Sequence, residues 1–163
     1  MRNTLCKSSL ITPFIDATVN VITTYTSTDV TAGETQAKED SAAFGVVSGL
    51  IGLAGKDVTG SLIVSFDEPS ILDIVSKMLG ETQHEINENV IDTVGEITNI
   101  ICGGAKRDLE ELGVSIDMAT PTVFRGIGLE FTQTSPHCSS YVPFRYPTGD
   151  FFVEVNLQSA IPL

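Results

Sequence analysis

Apolar side chains recur at three- and four-residue steps through residues 90–112, VIDTVGEITNIICGGAKRDLEEL. At about 100° per residue, Val90, Val94, Ile97, Ile101, Ala105 and Leu112 share one side of a helix, and Asp92, Glu96, Asn99, Gly103 and Lys106 line the other. The first side predicts a face packed on a core. Glu96 and Asn99, three residues apart on the second, both reach a single target outside the helix, and Gly95 and Gly103 leave room for that target to approach.

The same reading places the other elements. Thr12 followed by Pro13 predicts an N-cap and a first helical residue, with a helix over residues 13–25 that shares Phe14, Ala17, Val21 and Ile22 on one face. A polar, Thr-rich stretch follows, with a weak strand over residues 29–32 and then a loop. Residues 44–53 and 58–66, rich in β-branched and apolar types and separated by a turn at Gly55, predict a hairpin. Asp67-Glu68-Pro69 opens a helix that Gly80 ends. After the long helix, residues 114–118 alternate weakly and Pro121 begins a strand reading TVFRGIGLEF. Two further strands, residues 139–146 and 151–159, flank the turn Pro147-Thr148-Gly149-Asp150. Hairpins between neighbouring strands predict a two-layer α/β fold of the α+β type, an antiparallel β-sheet covered by long helices. A faint echo links Ala17-Thr18-Val19-Asn20 in the first helix to Glu96-Ile97-Thr98-Asn99 in the long one, as a duplicated ancestor would leave.

Composition narrows the function. With 163 residues, 42% of them hydrophobic, the chain is expected to form one domain over residues 1–163 around one core. Its formal charge is −12 and no Lys/Arg cluster interrupts the acidity, which argues against nucleic acid and anionic membrane as partners. No stretch is apolar for long enough to span a bilayer, and the first twenty residues lack a signal-type apolar core, so a cytoplasmic location is expected. Three cysteines at wide spacing, Cys6, Cys102 and Cys138, read as free thiols of a reducing compartment. His84 and His137 lack partners at metal-ligand spacing, and neither a serine-nucleophile motif nor a phosphate loop is present. No metal or cofactor of the chain's own is expected.

Taken alone, Glu96 and Asn99 read as a solvated helix face. The wider pattern changes this. The run Asp92-x-x-x-Glu96-x-x-Asn99, followed after twenty-one intervening residues by Pro121, resembles the signature of the CheC/CheX/FliY phosphatases of bacterial chemotaxis, which dephosphorylate the response regulator CheY. PFIDATVNVI, VVSGLIGLAG, GSLIVSF and GEITNIICGGAK resemble the CheX branch, which carries the signature once, and Ala17 stands here where a second copy would need its acid. The resemblance implies a CheC-like fold, a homodimer joined at sheet edges, and a phosphorylated CheY-like partner that brings its own Mg ion. It further implies that Asn99 orients the attacking water, that Glu96 docks the regulator's lysine, and that Asp92, Gly95 and Gly103 border the docking face. The competing expectation is a non-catalytic adaptor that binds a regulator or a flagellar switch component. An unrelated small-molecule enzyme would instead need a deep apolar pocket.

Overall fold

Period-two runs of β-branched and aromatic residues make two long hairpins, and these form the middle of the sheet. The computed structural model describes residues 5–133 and 138–159. Along the chain lie α1 (Ser8–Thr26), β1 (Thr31–Ala32), β2 (Gln36–Ala37), β3 (Val47–Ala54), β4 (Val58–Phe66), α2 (Glu68–Leu79), α3 (Glu88–Glu111), β5 (Asp117–Met118), β6 (Thr122–Arg125), β7 (Cys138–Tyr146) and β8 (Gly149–Ser159). The strands are antiparallel in the order β1-β7-β8-β4-β3-β5, with β2 also on β7 and β6 also on β3.

One face of the sheet is apolar. Ile51 and Leu53 of β3, Leu62 and Val64 of β4, and Val153 and Val155 of β8 form, with the inner sides of the helices, a single core. The other face carries Ser48, Ser61, Ser65, Ser139, Glu154 and Asn156, polar yet buried. Two crossing stretches of chain cover it, held together where Ala43 N donates to Leu129 O at 2.8 Å and Phe131 N to Ser41 O at 2.8 Å. Phe44 stacks on Phe152 with ring centroids 4.3 Å apart, and Lys38 Nζ lies 2.7 Å from Asp40 Oδ1 and 3.8 Å from Glu154 Oε1. Burial holds the Glu154 carboxyl above the usual carboxylate range, against the lowering effect of the Asn156 amide and of Lys38.

Chain order reveals the repeat as topology. A helix, two short strands and a long hairpin occur twice, as α1-β1-β2-β3-β4 and α3-β5-β6-β7-β8, with α2 between them. Each pair of short strands sits on the other half's hairpin, and β4 and β8 meet at the centre.

Four sequence expectations are corrected. The first helix begins at Ser8, so Pro13 lies inside it rather than at its start. An interior proline costs about 3 kcal/mol. The extra turn buries Leu10 and Ile11, at about 1.5–3 kcal/mol each, a gain that offsets a cost of that size. Leu112 falls just past the long helix and is exposed, and Leu109 takes the core position instead. The strand expected from residue 44 starts at Val47, because Gly45 turns the chain at φ 68 where a Cβ would meet Phe66 O at 2.2 Å. The TVFRGIGLEF strand stops at Arg125, since Gly126 and Gly128 adopt φ 151 and 73.

The cysteines are also corrected. Cys6 and Cys138 form a disulfide with Cα atoms 5.0 Å apart, tying the start of α1 to β7, and among the described residues only Cys102 is free. Their sequence separation of 132 hid the pair from any spacing argument. Cys102 is buried, and desolvation pushes its thiol up to about 11. His137 lies outside the described residues.

The long helix is set on the sheet by one close approach. Gly49 of β3 has no side chain where a Cβ would stand 2.0 Å from Thr98 Oγ1. The buried Thr98 hydroxyl is satisfied within its own helix, donating to Val94 O at 2.8 Å.

Gly49→Ala is therefore expected to lower stability by about 1–3 kcal/mol in urea unfolding, and Thr98→Ala in the same chain to restore part of the loss. A neutral Gly49→Ala contradicts the close packing. In a thiol titration of unreduced protein, the native fold is expected to leave Cys102 unreactive, and unfolding to expose that one thiol alone. Three thiols in the unfolded, unreduced chain would exclude the disulfide.

Candidate functional site

Helix α3 starts where Asn87, in extended conformation, accepts a hydrogen bond from Val90 N at 3.1 Å, while the acidic Glu88 in the first turn complements the helix dipole. From there the predicted phase holds. Val90, Val94, Ile97, Ile101 and Ala105 are fully buried, and Asp92, Glu96 and Asn99 are exposed. Among the described residues, neither the Glu96 carboxylate nor the Asn99 carboxamide has a hydrogen-bond or ion-pair partner. Both groups are left to solvent or to a visitor. Lys106, further along the stripe, is half-buried and lies 3.7 Å from Glu110 Oε1 and 3.9 Å from Asp117 Oδ1.

The two glycines serve different neighbours. Gly95 is buried, and a Cβ on it would stand 3.4 Å from Val123 Cγ2, so its first effect is to let β6 close on α3. Gly103 has open space around it and lines a groove of about 450 Å³ toward α1, beside Asp16, Asn20 and Arg107. Gly103 lies one turn beyond Asn99 on the same stripe but opens onto this α1-side groove and not onto the one beside Glu96. Ala17, in α1, is buried against Gly104, whose own Cβ would lie 3.1 Å from it. Position 17 is a packing position at the helix crossing and presents nothing outward.

Sequence reasoning missed the second wall of the site. Beside the Glu96 and Asn99 pair runs a groove of about 520 Å³, widely open to solvent. Ile91, Asp92, Gly95, Glu96 and Asn99 make its α3 side, and Met118, Ala119, Thr120, Pro121 and Val123 make the other. Pro121, read as shaping a strand, also borders this groove, and the small residue at 95 is the sequence signal that two elements converge there. The arrangement is a docking face with a trench beside it. It is not the deep apolar pocket that a small-molecule enzyme needs.

No described set of His, Cys, Asp and Glu gathers as a metal site, and His84 is exposed in the α2–α3 connection. The chemistry available on α3 is therefore that of a carboxylate and a carboxamide. A carboxylate pairs with a cation, and a carboxamide both donates to and accepts from a water molecule.

Comparison with known proteins identifies the family and the fold. A family model described as the chemotaxis phosphatase CheX matches residues 47–145. A curated protein of Thermotoga maritima named CheY-P phosphatase CheX is 35% identical over 82 residues, which is 50% of this chain and 52% of that protein. The match thus spans about half the length of that relative. Among solved structures, the chemotaxis protein CheX of Vibrio vulnificus is 39% identical with a TM-score of 0.87, covering 93% of this chain and 100% of its own. A CheX-CheY-BeF3-Mg complex from Borrelia burgdorferi aligns at 25% identity with a TM-score of 0.80, over 92% of this chain and 98% of that one.

Proposed function

The chain belongs to the CheX family of chemotaxis phosphatases, and from that membership we propose that it hydrolyses the aspartyl phosphate of a CheY-like response regulator. The observation that carries the reading is the pair on α3. Glu96 and Asn99 are exposed side by side, without partners among the described residues, on a helix whose back is buried. Polar groups so placed are free to enter another protein's site.

The reaction asks little of the phosphatase. An aspartyl phosphate is an acyl phosphate, and its transfer to water goes through a loose in-line transition state that needs positioning and charge neutralisation. Water oxygen bonds to phosphorus as the acyl oxygen leaves, giving inorganic phosphate and the free regulator carboxylate. The regulator brings the phosphorylated Asp, a magnesium ion and a lysine; the Borrelia burgdorferi complex, which holds beryllofluoride and magnesium with both proteins, supports that division. Asn99 enters the regulator's pocket and holds a water in line with phosphorus, so that a bimolecular attack becomes an oriented one. Glu96 pairs with the regulator's lysine and fixes where Asn99 lands. Asp92, one turn earlier, adds negative charge to the same face.

No described helix is long and apolar enough to cross a membrane, and we place the encounter with the regulator in the cytoplasm. We also propose a homodimer, joined at an outer strand of the sheet. Among the described residues the outer edges are the short strands β1 and β2 on β7 and β5 and β6 on β3, and their outward backbone groups are the ones another chain would meet.

With a regulator labelled by acetyl phosphate, the wild-type protein is expected to speed phosphate release, and Asn99→Ala to lower kcat about 100-fold, a loss of about 2.7 kcal/mol. Glu96→Ala is expected to act chiefly on KM. Variants equal to wild type would remove the catalytic assignment and favour an adaptor. Light scattering is expected to give a mass near twice 17.4 kDa, and a monomer would exclude the dimer.

A further inference from the structure

The first helix carries two starts. Its backbone begins at Ser8, yet Lys7 at the N-cap makes no side-chain hydrogen bond and no acidic residue stands in the first turn. The helix opens on two bonds, from Leu10 N to Lys7 O at 2.9 Å and from Ile11 N to Lys7 O at 3.2 Å. Thr12-Pro13, further along, offers what that end lacks, an exposed hydroxyl in an N-cap position followed by a proline in the first helical one. Inside α1, Pro13 has no N–H for Ser9 O, whereas at a helix start the same missing donor breaks no bond.

Tertiary contacts hold the longer form. Leu10 and Ile11 are buried in the core, Cys6 N donates to the buried Ser140 Oγ at 2.7 Å, and the Cys6–Cys138 bond ties the segment to β7. Burial of the two apolar side chains and the interior proline oppose each other with similar magnitude, so the covalent tie decides between the starts. Beyond Pro13 the helix is secured independently, by buried Phe14, Ala17, Val21 and Ile22 and by the contact of Ala17 with Gly104 of α3.

We propose that Cys6–Cys138 is a site of thiol–disulfide exchange with a dithiol, and that its state sets where α1 begins: at Ser8 when the bond is closed, and at Pro13, capped by Thr12, when it is open. Opening releases residues 5–11 and uncovers Leu10 and Ile11, while α1 from Phe14 onward stays on α3 and the setting of α3 is unchanged. The inference goes beyond the phosphatase reading and stands without it. A thiolate of the dithiol attacks one sulfur of the pair and expels the other as a thiolate, and the second thiolate of the dithiol then closes its own disulfide and releases the first cysteine. Two electrons and two protons pass from the dithiol to Cys6 and Cys138. Both cysteines are buried, so attack follows a local opening, and the weakly capped turn that carries exposed Lys7, Ser8 and Ser9 is where the chain opens most readily. Cys102 takes no part, because it is fully buried in α3 and its thiol is pushed up to about 11 by desolvation. In a reducing compartment such as the cytoplasm proposed above, disulfides are for the most part transient, catalytic or redox-sensing, which fits a bond that opens and closes.

Residue-resolved amide hydrogen exchange of the full chain, before and after treatment with dithiothreitol, tests the two starts. Reduction without denaturant is expected to make Cys6 and Cys138, but not Cys102, open to alkylation by iodoacetamide. It is expected to speed exchange at Leu10, Ile11 and Thr12 by about tenfold or more, while residues 94–105 of α3 stay within about threefold. Unreduced Cys6→Ser is expected to match the reduced wild type. The faster exchange is expected to end before Asp16, whose N–H meets the Thr12 carbonyl in either form, and to reach Asp16 in the reduced Thr12→Ala protein. Exchange at residues 10–12 that stays within about twofold after reduction overturns the inference. So does an equal acceleration in α3, which makes the bond a staple of the whole fold, and so does a disulfide that dithiothreitol opens only in denaturant. Protection of Asp16 that Thr12→Ala leaves unchanged in the reduced protein overturns the second start.

Discussion

The rotational setting of α3 on the sheet is the constraint on which the site depends. Thr98 rests over Gly49, where any side chain would collide with its hydroxyl, and Val94, Ile97 and Ile101 fill the core on either side. Rotating the helix by one residue, about 100°, would carry Asn99 toward the place of Thr98 and turn core residues outward. Burying an unpaired amide costs about 1–3 kcal/mol, and a carboxylate costs more. Exposing one fully buried aliphatic side chain adds about 1.5–3 kcal/mol. The apolar back of the helix therefore dictates where its polar front points.

That relation explains why so much of the site was legible before any coordinates. The three- and four-residue spacing of Val90, Val94, Ile97 and Ile101 defines a face, and the face defines its opposite, so Glu96 and Asn99 had to be exposed together. Asp67 and Gly80 bounded α2 as read, because capping is local chemistry: the Asp67 carboxylate accepts from Ser70 N, and Gly80 takes the left-handed conformation at the helix end. The two long hairpins were visible for the same local reason.

What stayed hidden is tertiary. The Cys6–Cys138 bond joins points 132 residues apart, and nothing in their spacing announces it. The start of α1 at Ser8 is decided by the burial of Leu10 and Ile11, which overrides the local signal of Thr12-Pro13. The polar face of the sheet, with Glu154 and Asn156 under the crossing chain, could not be told from a solvated face, because alternation shows which residues share a side and not what covers it. The trench between α3 and β6 is likewise a product of two distant segments meeting, with Gly95 as its single local trace.

A protein that completes another protein's reaction centre has no need of a cavity of its own. It needs a rigid element, an exposed pair of groups with no internal partner, and a surface that selects the visitor. A crystal structure of this protein with its regulator, loaded with beryllofluoride and magnesium, tests that account most directly. The account predicts the Asn99 carboxamide within about 3 Å of a water in line with the beryllium, and Glu96 paired with a lysine of the regulator. A complex in which the regulator leaves Asn99 facing bulk solvent would contradict it.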